Sequence, residues 1–344
     1  MSDPKLKQGW RDIILHGRNV ATYKFALGRA LLELAAEGRG FVTLEELAVP
    51  YQRHMVRHVR EVPRQMTSRS SRYVAACFHY VEGRINETEL QSATLIHGFN
   101  HVIDAFHNVE TPHADPTQFY IDERKGKRSG GIRLTDEILQ LANSEVTSEI
   151  TQEVETRWQL VERAWETRYG SGQPLLMAYE EPSESLIPAL LGKRTPFRAS
   201  VRPSLNGYQR GHCFYCYCPI SYLPEGLDGS HVDHFVPFAS AARGLHDQPI
   251  DGVWNLVLAC KDCNQKKHDS LPARSYMQQL ATRNEWLIES NHPLKETVIK
   301  ATGPTQKHRA KFLQRVYARA AEVTRGPWKA EQRAPFPFTQ FIIS

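Results

Sequence analysis

The sequence predicts an α+β fold in two domains, a mainly helical one over residues 1–194 and a compact mixed one with flanking helices over 195–344. Three observations carry this. Apolar residues recur at three- and four-residue steps through much of the first half. Five of the six cysteines, Cys213, Cys216, Cys218, Cys260 and Cys263, crowd into one short stretch. Between these regions, residues 171–211 change character. They hold Pro174, Pro182, Pro188, Pro196 and Pro203, and from Lys193 to Arg210 they carry five basic residues and no acid.

With 344 residues, 41% of them hydrophobic, the chain can bury a sizeable core, and its length suits two domains. The 24% of charged residues and the modest counts of Gly (21) and Pro (20) exclude collagen-like and disordered classes. No apolar run approaches the ~18 residues of a membrane-spanning helix. The start, Met1-Ser2-Asp3-Pro4-Lys5, lacks the apolar core of a secretory signal, so a soluble cytoplasmic protein is expected. A net charge of +5 is too mild to establish a nucleic-acid partner by itself.

From Val20 to Ala36, Tyr23, Leu27, Leu31 and Leu34 mark a helix that Gly38 and Gly40 end. Thr43 with Glu46 predicts a capping box for the next helix, and Pro50 predicts its kink or end. Asn86 with Glu89 opens a third, carrying Leu90, Ile96, Phe99, Ile103 and Phe106. A loop rich in Pro, His and Asp follows. Next comes a hairpin of Phe119–Asp122 against Ile132–Leu134, turning over Lys125–Gly131. Thr135 then opens one acidic helical stretch to about Tyr169. Past the boundary, helices are expected from about Ser275 to Ile288 and from Lys307 to Val323.

Cys213-Phe214-Tyr215-Cys216 and Cys260-Lys261-Asp262-Cys263 are two CxxC pairs. Each can present two thiolates to one ion, and two such knuckles complete a tetrahedral Zn²⁺ site. Cys218 leaves an alternative, since Cys216 with Cys218 could replace Cys213 with Cys216; the CxxC spacing is preferred. Four protein ligands leave no open position, which makes this a structural zinc and puts any catalysis elsewhere. Cys77, in Tyr73–Phe78, is read as a small core residue on a helix.

Between the knuckles run His231-Val232-Asp233-His234-Phe235-Val236-Pro237 and Trp254-Asn255-Leu256-Val257. The second pair continues as Asn264-Gln265-Lys266-Lys267-His268. A CxxC, a strand ending in Asp-His, an Asn-Leu strand, and a CxxC followed by Asn and a basic residue together resemble the HNH (ββα-metal) endonuclease family, over roughly residues 205–275. The resemblance implies a metal-dependent nuclease that hydrolyses phosphodiester bonds. It makes His234 the general base, with Asp233 and Asn264 holding Mg²⁺ or Mn²⁺. Asn255 falls at the family's middle Asn, which orients the loop carrying the base. His268, four residues after Asn264, would share its helical face and serve as a secondary ligand. Chemically the set is apt. An imidazole, ordinarily titrating near ~6.5, can take a proton from water, and a divalent ion bound through oxygens can steady the phosphate and the leaving oxygen. One geometric difficulty is visible in advance. Neighbours on a strand face opposite ways, so the strand should end or bulge at Asp233-His234.

Basic residues flank this region. Lys193, Arg194, Arg198, Arg202 and Arg210 precede the first knuckle, and Lys261, Lys266 and Lys267 accompany the second. Arg210, Lys261, Lys266 and Lys267 are the expected phosphate contacts. Between Lys295 and Arg333 lie ten Lys or Arg against three acids, with Lys311, Arg315 and Arg319 making a basic stripe. The first domain has an arginine cluster, Arg53, Arg57, Arg60, Arg64, Arg69 and Arg72, interleaved with His54 and His58. It also has an acidic stretch, Asp136–Glu155, that could face another subunit or this cluster. No Walker loop or GxGxxG marks residues 1–190, whose role stays open among regulation, partner binding and target recognition. Double-stranded DNA is the expected substrate. Stand-alone HNH proteins with a large extra domain resemble components of bacterial restriction or anti-phage systems, which would supply protein partners. The rival readings are a non-catalytic, zinc-stapled nucleic-acid or partner-binding protein, and an HNH nuclease acting on RNA.

Overall fold

The computed structural model describes residues 4–15, 20–68, 70–109, 117–125, 130–189, 199–221 and 229–334. The chain forms two compact units, Met1–Gln173 and Pro174–Ser344. Among the described residues, no helix is long and apolar enough to cross a membrane.

The first unit contains α1 (Pro4–Leu15), α2 (Tyr23–Ala36), β1 (Phe41–Thr43), α3 (Leu44–Glu61), α4 (Arg72–Val81), α5 (Glu87–Ala93), α6 (Val102–Ala105), β2 (Tyr120–Asp122), β3 (Gly131–Leu134), α7 (Asp136–Ala142) and α8 (Thr147–Gly170). The predicted capping box forms, and the helix start expected at Asn86 with Glu89 forms a second one. Thr43 Oγ1 accepts the Glu46 N–H at 3.2 Å while Glu46 accepts the Thr43 N–H at 2.9 Å, and Asn86 and Glu89 repeat the exchange at 3.0 and 2.8 Å. The β2–β3 hairpin pairs antiparallel as expected, and β1, not anticipated, adds to its other edge. Turn residues 126–129, Arg69 and residues 110–116 of the Pro/His/Asp loop lie outside the described residues. Cys77 is buried on α4.

One expectation is narrowed here and one corrected. Of the kink or end expected at Pro50, the end does not occur, and α3 runs on to Glu61. Buried Leu47, Tyr51, Met55 and Val59 give that helix a packed face, which offsets the roughly 3 kcal/mol an interior proline costs. The acidic stretch after Thr135 is two helices rather than one. At the break, Asn143, Ser144 and Thr147 side chains bond the Leu139 and Leu141 carbonyls, competing with continuation of α7.

The arginine-rich α3 and the acidic α8 meet within this unit. Arg57 pairs with Glu155. The His58 ring stacks on Trp158 with centroids 3.6 Å apart, and its nitrogens reach Glu162 at 2.9 Å and Glu155 at 3.0 Å. Glu162 also accepts Gln65 Nε2 at 2.7 Å, and Gln65 accepts Trp158 Nε1. Burial alone would lower the His58 pKa, but the two carboxylates outweigh it and the net shift is upward. Of the predicted cationic cluster, His54 and His58 are thus buried in the fold, whereas Arg53, Arg57, Arg60 and Arg72 stay exposed. His58→Ala, which leaves the buried Glu162 with Gln65 but without its ring partner, is expected to lose about 3 kcal/mol of stability in urea unfolding. Because the folded pKa is raised, His58 contributes fully below about pH 6.5 and progressively less as pH rises through the folded value. The gap between wild type and His58→Ala should therefore shrink from about pH 6 to pH 9; a widening gap would contradict a protonated His58.

The second unit begins with β4 (Met177–Glu180) and β5 (Ser185–Pro188), which form an antiparallel sheet with β6 (Ala199–Ser200). β4 and β5 lie ahead of residue 195, within a second unit that begins at Pro174. Lys193, Arg194 and Arg198, between β5 and β6, lie outside the described residues. Then come α9 (Val201–Gln209), β7 (Ser230–His234), β8 (Leu256–Cys260), α10 (Lys261–Lys267), β9 (Ser270–Pro272), α11 (Arg274–Glu289), α12 (Lys295–Thr302), α13 (Gln306–Val323) and β10 (Arg325–Trp328). Helices α11 and α13 match the two predicted from sequence. A buried Arg309–Glu285 ion pair joins them.

Candidate active site and metal centre

The four cysteines of the CxxC pairs are buried, with sulfurs all within 4.8 Å of one another. Cys213 and Cys216 sit in the turn after α9, while Cys260 ends β8 and Cys263 lies in the first turn of α10. Cys260 Sγ also caps that helix, accepting the Cys263 N–H at 3.4 Å. A tetrahedral ion with Zn–S bonds of about 2.3 Å separates its sulfurs by about 3.8 Å. Cys216 and Cys260 Sγ are 3.7 Å apart, so the donor set fits. Thiols this close cannot all ionise unaided. Hydrogen bonds from Cys213 and Cys263 hold the Cys260 thiol low, whereas contacts with Cys213 and Cys260 push Cys263 up. A divalent cation would stabilise all four as thiolates. Cys218 stands outside the set, which selects the Cys213–Cys216 pairing. Among the described residues, no other three His, Cys, Asp or Glu ligand atoms cluster this closely.

Strands β7 and β8 pair antiparallel in unbroken register, from Ser230 opposite Cys260 to His234 opposite Leu256. His234 therefore lies four residue steps, about 14 Å, from Cys260 along the ladder. Helix α10 starts beside the sulfurs and packs against both strands. This is a two-strand-and-helix frame with the sulfur cluster at one end. Residues 213–270 match the family model for HNH endonuclease. No curated protein and no solved structure matches the chain.

The HNH segment settles the difficulty at Asp233-His234. The strand ends at His234, without a bulge, and the two side chains go different ways. Asp233 Oδ2 accepts the Tyr215 hydroxyl at 2.6 Å, and Oδ1 accepts Lys267 Nζ at 2.9 Å. Tyr215 belongs to the first knuckle, so the same turn that supplies two cysteines also holds Asp233. Lys267 donates in addition to the His234 carbonyl at 2.8 Å. The His234 ring instead meets Asp251, with Nε2 2.9 Å from Oδ1, and its centroid is 5.8 Å from that of Tyr179 and 5.5 Å from that of Phe238. The sheet β4–β5–β6 thus brings an aromatic to His234 from outside the matched residues.

Asn255 is fully buried. Its Oδ1 accepts the Val236 N–H at 2.8 Å and its Nδ2 donates to the Val236 and Ile250 carbonyls at 2.9 Å. It braces the backbone just after His234. Asn264 is half-buried on α10, three residues before Lys267 and hence on the helical face that reaches Asp233. Its amide makes no hydrogen bond among the described residues, leaving its oxygen available to a cation.

Two site expectations are corrected. His268 does not share the helical face of Asn264. It falls just past α10 at φ 45°, with its side chain 81% exposed, because the helix ends at Lys267. Lys267 is not a surface phosphate contact, being fully buried against Asp233. Lys261 and Lys266 are exposed, Lys266 pairing with Asp262 at 3.1 Å, and Arg210 is half-buried at the C-terminus of α9. Sequence reasoning missed Tyr215 and Asp251. Tyr215 was visible only as a residue inside a knuckle, and Asp251 lies in a loop with no pattern of its own.

The geometry predicts one zinc per chain by elemental analysis. Cys260→Ser should lose that zinc and the cooperative unfolding of the second unit, because structural metal binding is coupled to folding. Cys218→Ser should retain both. A folded, zinc-free Cys260→Ser chain would contradict the metal assignment.

Proposed function

We propose that the chain is a metal-dependent endonuclease that hydrolyses phosphodiester bonds in double-stranded DNA. The observation that carries this reading is the HNH frame, with Asp233 and His234 at the end of β7 opposite the sulfur cluster. In the proposed mechanism His234 takes a proton from the attacking water. Asp233 and Asn264 are the oxygen donors for Mg²⁺ or Mn²⁺, a set suited to such hard cations. When bound, that ion would supply positive charge to the scissile phosphate and the leaving oxygen. Lys267 and Tyr215 fix the Asp233 carboxylate, whose oxygens each keep a further lone pair for the cation. Asn255 holds the backbone that follows the base.

The choice of duplex DNA is supported by placement of charge within the second unit. Lys307, Lys311 and Arg315 are exposed along α13. Arg319 on the same helix bonds the Gly244 carbonyl and Asp247, in the loop that joins His234 to Asp251. A basic helix tied to that loop offers contacts to a phosphate backbone without sequence preference.

The test is nicking of supercoiled plasmid with added Mg²⁺ or Mn²⁺, alongside labelled single strands and RNA. Wild type should cut duplex DNA, and His234→Ala should be slower by about 10²-fold or more while keeping its zinc and its circular dichroism. Cutting at the wild-type rate by that folded variant would refute the base. Preference for RNA would refute the substrate.

A further inference from the structure

We infer that Asp251 is a positioning residue for His234. It would hold the imidazole with the proton on Nε2, so that Nδ1 carries the lone pair that accepts the proton from water. This rests on the nuclease reading and adds a residue and an atom to it. An ionised carboxylate can only accept hydrogen bonds. Asp251 Oδ1 lies 2.9 Å from His234 Nε2, so the neutral ring keeps its N–H there and its lone pair at Nδ1.

The partnership is built into the fold rather than left to an exposed side chain. Asp251 is itself half-exposed, so its place depends on its backbone. That backbone is held by the Asn255 amide, which donates to Val236, two residues after His234, and to Ile250, one residue before Asp251. One buried side chain therefore ties together the segments that carry imidazole and carboxylate. Trp254 Nε1 secures the Pro249 carbonyl at 2.9 Å, and Arg283 from α11 donates to the carbonyls of Val253, Trp254 and Leu256. The rings of Tyr179 and Phe238, with centroids 5.8 and 5.5 Å from that of His234, limit its rotation about the Asp251 bond. Asn255 thus acts through Asp251 as well as through the strand end.

The experiment uses the full chain with Asp251→Ala and Asp251→Glu. Single-turnover cleavage should slow by about 10- to 100-fold in Asp251→Ala at unchanged KM and zinc content, with partial recovery in Asp251→Glu. Nitrogen-15 NMR at about pH 8, where imidazoles are ordinarily neutral, should show His234 protonated on Nε2 in wild type, assigned against His234→Ala. Unchanged cleavage in Asp251→Ala, a loss confined to KM, or a wild-type His234 protonated on Nδ1 would each overturn the inference. Should Asp251→Ala misfold, the wild-type spectrum decides. If wild type cuts no nucleic acid, the nuclease reading fails, while the spectrum still tests the hydrogen bond.

Discussion

The carboxylate of Asp233 is the point on which the second unit is organised. Three separate pieces of chain converge there: strand β7 carries it, the first cysteine knuckle reaches it through Tyr215, and α10 reaches it through Lys267. A buried carboxylate is costly without partners, and here an ammonium and a phenol meet it in a nearly dry setting. The arrangement makes the two ends of the β7–β8 ladder interdependent. A metal ordering the knuckle would fix Tyr215, Tyr215 and Lys267 hold Asp233, and Lys267 holds the His234 carbonyl.

The division of labour follows from distance. The sulfur cluster is too far from His234 for one ion to serve both, and its four ligands leave no open position. It acts on the site through covalent and hydrogen-bonded structure alone. The opposite end has the complementary character: oxygen donors, a ring at the end of a strand, and a loop pinned by Asn255 and Arg283 rather than by metal. Rigid support beneath a small number of polar groups is what a hydrolytic site requires.

Much of this was legible in the sequence because it depends on local chemistry. Cysteine spacing, the Thr43/Glu46 box, the Asn86/Glu89 helix start and the strand that follows Asn255 all declare themselves within a few residues. What escaped depends on tertiary packing. The helix through Pro50 survives because its neighbours are buried, and Lys267 looks like a solvated cation until a carboxylate 34 positions away in sequence is placed beside it. His268 follows helical spacing on paper, yet the helix stops one residue short of it. Asp251 has no motif at all, and it is found only through its distance to His234. The hairpin β4–β5 was likewise invisible amid prolines, although it brings Tyr179 to the site.

The most direct test of the account is an anomalous-scattering map from crystals of the chain soaked in Mn²⁺. The account predicts a zinc peak among Cys213, Cys216, Cys260 and Cys263, and a separate manganese peak touching Asp233 and Asn264, with His234 Nδ1 facing a water beside it. Manganese bound elsewhere, with Asp233 still engaged only by Tyr215 and Lys267, would contradict it.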